Sequence, residues 1–322
     1  MRCTRYRVSQ FGLLTLTMLT CLLAAEMALR HLSPDQVGVL QDQYRLGYRY
    51  DAELGWFPSA DQTRTFAASR VTTVRHNARG FRDGEHVVDS RPGLLVLGDS
   101  FVWGYDVEKT ERFTDRLAAE LTAWQVFNLG VSGYGTDQEY LLLQREFDYY
   151  NPKIVLITFC TDNDRQDNST SARYGGFQKP YYSAAGETLT LHGVPVPPSS
   201  RWLFMNHPSL YRFRLLRLAV QSYARFADPA KVRVADPTEL ILLAMQRFVA
   251  ARGCVIVVGL QDREPQLEQF LRDRAIPSVD LSNLEKYPGH GQHWTPAGHA
   301  VASERILAFL KVGGYLLPDG LP

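Results

Sequence analysis

Three short apolar segments, each followed at once by small and polar residues, constrain the fold of this chain most strongly. Leu94 to Leu97 lies between two glycines and is too short and too sharply bounded for a helix. Residues 124–129 and 154–159 repeat this arrangement. We interpret all three as buried strands of an α/β sheet, a fold in which the carboxyl ends of the strands line the ligand crevice.

Helical patterns alternate with these strands. Thr110 to Leu121, Thr136 to Tyr149 and Pro237 to Arg252 each carry apolar residues at the spacing of one helix face, and Cys254 to Leu260 follows as a further strand. This alternation predicts a parallel sheet with helices on both faces and right-handed crossovers. Residues 165–235 break the pattern, and we interpret them as an inserted subdomain.

Four loops offer, in chain order, a serine, a glycine, an asparagine and a histidine: Ser100, Gly133, Asn163 and His293. Each residue by itself has an ordinary structural explanation, in a turn, in a loop with positive φ, or in packing beside an aromatic neighbour. Their order at consecutive strand ends favours a catalytic site instead. A serine hydroxyl becomes a nucleophile when an imidazole accepts its proton, and preset donors stabilise the negative charge that then develops.

With these four blocks, beginning at Gly98-Asp99-Ser100, the chain resembles the SGNH, or GDSL, hydrolase superfamily over roughly residues 93–312. The resemblance implies a three-layer, flavodoxin-like α/β fold that works without a metal or other cofactor. It assigns Ser100 as the nucleophile and His293 as the general base. It also implies an oxyanion hole formed by the backbone N–H groups of Ser100 and Gly133 and the side chain of Asn163.

The chain departs from this family at one place. The family usually has an aspartate two or three residues before the histidine, but Gly291 and His290 occupy these positions. Loss of an orienting acid lowers the rate of a triad enzyme by up to roughly 10⁴-fold. Three alternatives remain open: a dyad oriented by a backbone carbonyl, an acid supplied from elsewhere such as Asp280 or Glu285, or a protein that binds without cleaving.

The N-terminus predicts a signal peptide or a membrane anchor. Arginines precede the apolar stretch from Val8 to Ala25, which as a helix is ~27 Å long, close to the thickness of a bilayer core of about 30 Å. Leu23-Ala24-Ala25 matches a signal-peptidase site only in part, so we favour an uncleaved anchor at residues 1–30. The arginines predict a cytoplasmic N-terminus, which puts the catalytic domain on the periplasmic side.

Two further segments complete the predicted organisation. Residues 31–90 form an N-terminal extension that packs on the catalytic domain, and residues 91–322 form that domain with its insertion. The string from Asn77 to Asp83 resembles the lead-in of membrane-attached bacterial SGNH proteins.

The near balance of basic and acidic residues bears on which partners the protein can bind. The chain has 35 basic and 34 acidic residues, so its formal net charge is +1, and nucleic acid is not expected as a partner. We expect an acylated carbohydrate or another small ester as substrate, and a membrane as the partner of the N-terminal helix. The leading hypothesis is a serine esterase or acyltransferase that acts on an envelope or exported polysaccharide. The alternative is a catalytically impaired SGNH-fold protein that binds glycans.

Overall fold

The computed structural model describes residues 2–32, 47–174 and 176–316. Part of the predicted 31–90 extension, residues 33–46, lies outside the described residues. The same holds for Gly175 in the predicted insertion and for residues 317–322 at the end of the predicted catalytic domain.

The described residues form helices and strands in the following order: α1 (Arg2–Leu32), β1 (Tyr48–Asp51), β2 (Gly55–Pro58), β3 (Thr63–Ala67), β4 (Val71–Arg75), β5 (Gly93–Gly98), α2 (Ser100–Trp103), α3 (Phe113–Glu120), β6 (Gln125–Asn128), α4 (Thr136–Tyr150), β7 (Ile154–Phe159), α5 (Asp164–Asn168), β8 (Ala172–Arg173), β9 (Phe177–Gln178), β10 (Tyr181–Ala185), β11 (Thr188–His192), α6 (Trp202–Asn206), α7 (Arg214–Ala227), α8 (Thr238–Ala250), β12 (Val255–Leu260), α9 (Pro265–Asp273), β13 (Ser278–Asp280) and α10 (Pro296–Val312). Short 3-10 turns at Lys109–Glu111, Pro208–Arg212 and His290–Gln292 lie between them.

The central sheet has five parallel strands in the order β13-β12-β7-β5-β6. Numbered by their place in the chain, these strands run 2-1-3-4-5 from the β6 edge, which is the flavodoxin-like order. The strand order reverses between β5 and β7, and in such sheets this switch point is where ligands bind. The predicted parallel α/β fold is therefore confirmed.

Helices pack on both faces of the sheet. On one face, α3 contacts α10, and their apolar side chains share a core with Leu94 and Val96 of β5. Because side chains alternate along a strand, Leu95 and Leu97 point to the other face, where α4 lies against β5 and α8. Every residue of β5 and β7 is buried, as the continuous apolar character of these segments predicted.

Element boundaries differ from the sequence prediction mainly at helix starts. The helix predicted from Thr110 begins at Phe113, because the preceding residues form a separate 3-10 turn. The sequence predicts a helix from Pro237 with Asp236 as its cap, but α8 begins at Thr238 and its N-cap is Pro237. The Asp236 carboxylate still accepts the N–H of Thr238 at 3.0 Å. The sequence Thr295-Pro296 predicts an N-cap followed by the first helical residue. At α10 this is confirmed, since Thr295 accepts the N–H of Gly298 and Pro296 is the first helical residue.

The described residues form two compact units. One contains α1 together with residues 198–229, which include α6 and α7. The other contains the sheet, with the antiparallel hairpins β1-β2, β3-β4, β8-β9 and β10-β11. The predicted segment 165–235 is thus divided between the two units, and its role as a single insertion stays a prediction.

A buried ion pair links α4 to the segment before β10. The side chains of Lys179 and Asp137 are both fully buried and in contact, and the Lys179 ammonium also donates to the carbonyl of Pro180 at 3.0 Å. A buried charge that loses its partner is strongly unfavourable, whereas removal of both charges is far less costly.

We therefore expect Lys179→Met to lower the free energy of unfolding by about 3–5 kcal/mol, because it leaves the Asp137 carboxylate buried without its cation. Urea unfolding monitored by circular dichroism measures this. The matched control is the double variant Lys179→Met with Asp137→Leu, which should recover most of the loss. Equal stability of the single variant and the wild type would contradict the prediction.

Candidate active site

Ser100 lies directly beyond the carboxyl end of β5, as the first residue of the short helix α2. The Asp99 carboxylate accepts the N–H of Phe101 at 2.9 Å and thereby caps this helix. Gly98 makes the sharp exit from the strand possible, since a Cβ at this position would lie 2.3 Å from Cγ2 of Val102. Ser100 is 9% exposed, so only a small part of its surface is accessible to solvent.

His293 reaches this serine from the opposite end of the domain sequence. Its Nε2 lies 2.8 Å from the Ser100 hydroxyl, across 193 residues of chain. The backbone carbonyl of His293 accepts the N–H of Tyr287 at 2.8 Å, and the capped start of α10 follows two residues later. Nucleophile and base candidates are therefore held at hydrogen-bond distance by secondary structure on both sides.

The imidazole of His293 is packed against aromatic rings and a glycine. Tyr105 stacks on it, with ring centroids 4.1 Å apart and an angle of 22° between the planes, and Phe101 lies at 5.3 Å. Gly291 lies against the Cε1 edge of the ring, where a Cβ would come within 2.3 Å of that atom. The position at which the SGNH family has an acid is thus filled here by backbone in contact with the imidazole.

The two acids suggested as a third triad member have other contacts. The Glu285 carboxylate accepts the Thr295 hydroxyl at 2.8 Å, next to the start of α10. The Asp280 carboxylate accepts the N–H of Ser282 at 2.8 Å, and its side chain is 52% exposed. A role for either acid beside His293 stays a prediction.

The loops with Gly133 and Asn163 follow the two strands that flank β5. The Val131 N–H donates to the Gly98 carbonyl at 3.0 Å, which ties the glycine loop to the end of β5. Gly133 has a φ of +90°, and a Cβ there would lie 2.5 Å from the Tyr174 hydroxyl oxygen, so only glycine fits. Its carbonyl accepts from the Arg173 guanidinium at 2.6 Å.

Asn163 ends the loop after β7 and lies at the N-cap position of α5. Its N–H donates to the Cys160 carbonyl at 3.3 Å. Its side-chain oxygen is buried and accepts no hydrogen bond from the described residues, so no protein contact holds the carboxamide through this atom. The Asp164 carboxylate next to it accepts the N–H of Cys160 at 2.9 Å and the Thr136 hydroxyl at 3.5 Å, which joins the loops after β6 and β7.

Three buried carboxyl groups lie beneath these loops: Asp99, Glu139 and Asp164. Burial raises the pKa of all three. The charges of Asp99 and Asp137 raise the pKa of Glu139 further, to well above its usual range. Neither Glu139 oxygen has a hydrogen-bond partner among the described residues. The cluster therefore retains protons to a higher pH than isolated carboxyl groups would.

A second histidine, His299, is buried on α10 next to the site. Its ring stacks on Phe113, with centroids 5.9 Å apart, and its Nδ1 accepts the Phe113 N–H at 3.3 Å. Burial, together with the positive charges of Arg112 and Arg82, lowers the pKa of His299 to about 3. His299 is therefore a buried, uncharged residue of the core near neutral pH.

Sequence reasoning missed several residues of this region. Tyr105 follows the helix-ending Gly104, and nothing in the local pattern predicts that its ring meets an imidazole 188 positions further along. Glu139 lies in the first turn of α4, where an acid ordinarily favours the helix dipole at the surface, whereas here it is fully buried. Gly291 was noted only as a missing acid, and its contact with the imidazole depends on the tertiary fold.

Comparison with known proteins gives one extended match. The family described as "GDSL-like Lipase/Acylhydrolase family" matches residues 96–301, well over half of the chain. No curated protein matches the chain.

Many solved structures resemble the chain at low identity. A member of the lipolytic protein G-D-S-L family from Veillonella parvula DSM 2008 is 11% identical, with a TM-score of 0.39 over 67% of this chain and 96% of that one. The psychrotrophic esterase EstA from Pseudoalteromonas sp. is 11% identical, with a TM-score of 0.39 over 68% and 97%. A two-domain esterase (CEX) active on acetylated mannans is 11% identical, with a TM-score of 0.38 over 72% and 51%. Because each TM-score is below 0.5, we infer nothing about this chain from these three proteins.

The buried Glu139 carboxyl predicts a pH effect on stability. A carboxyl with a higher pKa in the folded than in the unfolded state binds more protons when folded. The contribution of Glu139 to the free energy of unfolding is therefore fully present below the pKa of the unfolded state, about 4.5. It is lost as the pH rises through the raised pKa of the folded state. Glu139→Gln cannot ionise, so we expect its Tm relative to the wild type to increase from pH 5 to pH 8.

Thermal unfolding of both proteins at the two pH values measures this difference. The matched control is Glu120→Gln, at an exposed position of α3. An equal pH response of the Glu139 and Glu120 variants would show that the buried carboxyl does not hold its proton.

Proposed function

Because this chain belongs to the GDSL-like lipase/acylhydrolase family, and is therefore a serine hydrolase, we propose that Ser100 attacks an ester carbonyl and forms a covalent acyl-serine intermediate. The observation that carries this proposal is the 2.8 Å separation of the Ser100 hydroxyl from Nε2 of His293. A general base must lie within hydrogen-bond reach of the proton that it removes, and this distance satisfies that requirement without any rearrangement.

The proposed reaction proceeds in two halves. His293 accepts the Ser100 proton as the oxygen attacks, and then donates that proton to the departing alcohol. A second nucleophile, either water or a sugar hydroxyl, then attacks the acyl carbon as His293 accepts its proton. His293 donates this proton to the Ser100 oxygen as the acyl–serine bond breaks, which restores the free hydroxyl. The enzyme is an esterase in the first case and an acyltransferase in the second.

The developing oxyanion is stabilised by three donors in this proposal: the N–H groups of Ser100 and Gly133 and the carboxamide of Asn163. Support comes from their place on three neighbouring loops and from the constraint that keeps position 133 free of a side chain. Loss of one such donor typically lowers kcat by about 10²- to 10³-fold.

We further propose that packing orients the imidazole at the place where the family has an acid. Tyr105 stacks on the ring and the Gly291 backbone lies against its edge, so rotation of the His293 side chain is restricted. A carboxylate also stabilises the charged imidazolium, and packing replaces only its orienting role. This account favours a working dyad over a protein that binds without cleaving.

The proposed substrate is an O-acyl ester on an envelope or exported polysaccharide. α1 contains the segment Gln10–Leu32, which is long and apolar enough to cross a membrane. The most apolar part of this segment is not buried by the described residues. The arginines before it favour a cytoplasmic N-terminus, which would place the esterase domain outside the cytoplasmic membrane with access to acylated glycans.

The nucleophile is tested by a fluorophosphonate probe on the full chain. We expect covalent labelling of the wild type and none of Ser100→Ala, because the probe reacts only with an activated serine. His293→Gln should label at a strongly reduced rate. Intact-protein mass spectrometry measures the adduct.

A matched control exists in the β10-β11 hairpin. There the hydroxyl of Ser183 lies 2.7 Å from Nε2 of His192, in a pair that resembles the proposed dyad in distance but lies outside the site. Ser183→Ala should label like the wild type. Absence of labelling in every variant, including the wild type, would favour the glycan-binding alternative.

The packing of the imidazole gives a separate prediction. Gly291→Ala forces a Cβ into the His293 ring, and Tyr105→Leu removes the stacked partner, so both should lower kcat on a small acetyl ester while KM changes little. Misplacement of a catalytic group by about 1 Å can lower the rate about 100-fold. Tyr105→Phe retains the ring and should recover most of the rate; an equal loss in the Phe and Leu variants would contradict the stacking role.

A further inference from the structure

The amphipathic helix α7 and the segment before it are strongly basic. Residues 199–227 contain five arginines and no acidic residue. The arginines are Arg201, Arg212, Arg214, Arg217 and Arg225. Over the whole chain basic and acidic residues nearly balance, so this concentration of positive charge is a local feature.

In α7 the polar face is more buried than the large side chains of the opposite face. Arg214, Arg217 and Gln221 follow a three- and four-residue spacing along one face and are half-buried, and Ala224 continues that face and is buried. The face that points outward is apolar instead. Its large side chains are Leu218 at 40%, Tyr223 at 65% and Phe226 at 90% exposure.

An amphipathic helix of a globular protein normally buries its apolar face. In α7 only part of the apolar face is covered by the described residues: Leu215, Leu216 and Val220 are half-buried. Leu218, Tyr223 and Phe226 remain exposed, and Phe226 is among the most exposed large apolar side chains of the described residues. A contiguous apolar face with flanking cations indicates an interaction surface.

The position of α7 relative to α1 indicates what covers this face. The Glu26 carboxylate of α1 accepts the N–H groups of Arg214 and Leu215, at 3.1 and 2.8 Å, and so caps the start of α7. The Arg214 guanidinium donates to the Leu29 carbonyl at 3.1 Å, and Arg30 donates to the Arg212 carbonyl at the same distance. These bonds fix the first turn of α7 beside the last turns of the apolar segment Gln10–Leu32.

We propose that α7 lies in the interface of the membrane that α1 crosses, with its apolar face among the upper acyl chains and its arginines on anionic phospholipid headgroups. The proposal rests on the anchor role given to α1 above. Basic residues on the polar face, aromatic residues on the other and a fixed starting point at the end of a membrane span are the features of an interfacial helix. The exposed Tyr223 of α7 is of a residue type enriched at this depth.

The test uses the full chain in nanodiscs of phosphatidylglycerol and phosphatidylcholine, with Cys3 and Cys21 replaced by serine and the buried Cys160 and Cys254 kept. Ser222→Cys, at an exposed position between Tyr223 and the arginine face, carries a fluorescent label. We expect lipid-borne nitroxide to quench this label strongly. The matched control is Gln221→Cys, the neighbouring position on the other face, which should be quenched several-fold less.

Three further measurements decide the proposal. Tyr223→Ser with Phe226→Ser should abolish the lipid quenching, and Arg217→Gln with Arg225→Gln should weaken it only when phosphatidylglycerol is present. Protection of the label from aqueous iodide without quenching by lipid would show that a protein covers this face, and would overturn the proposal.

The anchor is tested independently by flotation of the same labelled chain with vesicles. Failure to float in alkaline carbonate refutes the membrane role of α1 and the proposal with it. Flotation combined with a water-exposed label at position 222 refutes the interfacial placement of α7 alone.

Discussion

The hydrogen bond between the Ser100 hydroxyl and the His293 imidazole is the interaction on which the functional interpretation of this structure depends. Its geometry comes from the sheet order. β5 lies inside the sheet, which fixes Ser100 at a strand end, and α10 packs against α3 on one face of the same sheet. Trp294 joins the two parts, because it is fully buried and its ring meets that of Phe101 at 4.8 Å.

The residues around this hydrogen bond include some that stabilise the fold and some that destabilise it. Aromatic packing around His293 buries apolar surface and restricts its side chain at the same time. Below the loops, Asp99, Glu139 and Asp164 are buried together with few donors, which costs stability unless protons remain bound. A local loss of stability of this kind is common where loops hold polar groups in fixed positions. The well-packed sheet offsets it.

The fold could be predicted from the sequence because the strands β5, β7 and β12 are mostly apolar runs and the helices between them carry apolar residues at the spacing of one face. Leu94 to Leu97 is a short apolar run between glycines, which favours a buried strand, and Thr295-Pro296 favours the start of a helix. The start of α3 was missed, because the sequence does not show that Lys109–Glu111 would form a separate turn. The basic and apolar sequence from Leu210 to Phe226 also favours a helix, and the structure has α7 there. That its apolar face points outward follows only from the packing of α7 beside α1.

The candidate site could be proposed from the sequence as a set of residue types, but the contacts between its residues could not be predicted. Ser100, Gly133, Asn163 and His293 stand out because each follows or precedes a regular element. Tyr105 and Gly291 do not, since a stacked ring and a close backbone contact are properties of the folded chain. The same holds for Glu139, whose burial reverses the meaning of an acid in the first turn of a helix.

The burial of His299 has a consequence for kinetic work on this protein. With a pKa of about 3, its imidazole stays uncharged across the whole range in which ester hydrolysis is normally assayed. An inflection of the pH–rate curve near neutrality therefore has to be assigned to a different titrating group, although His299 is only six positions from His293 and its ring lies 5.5 Å from that of Trp294, the residue directly after His293.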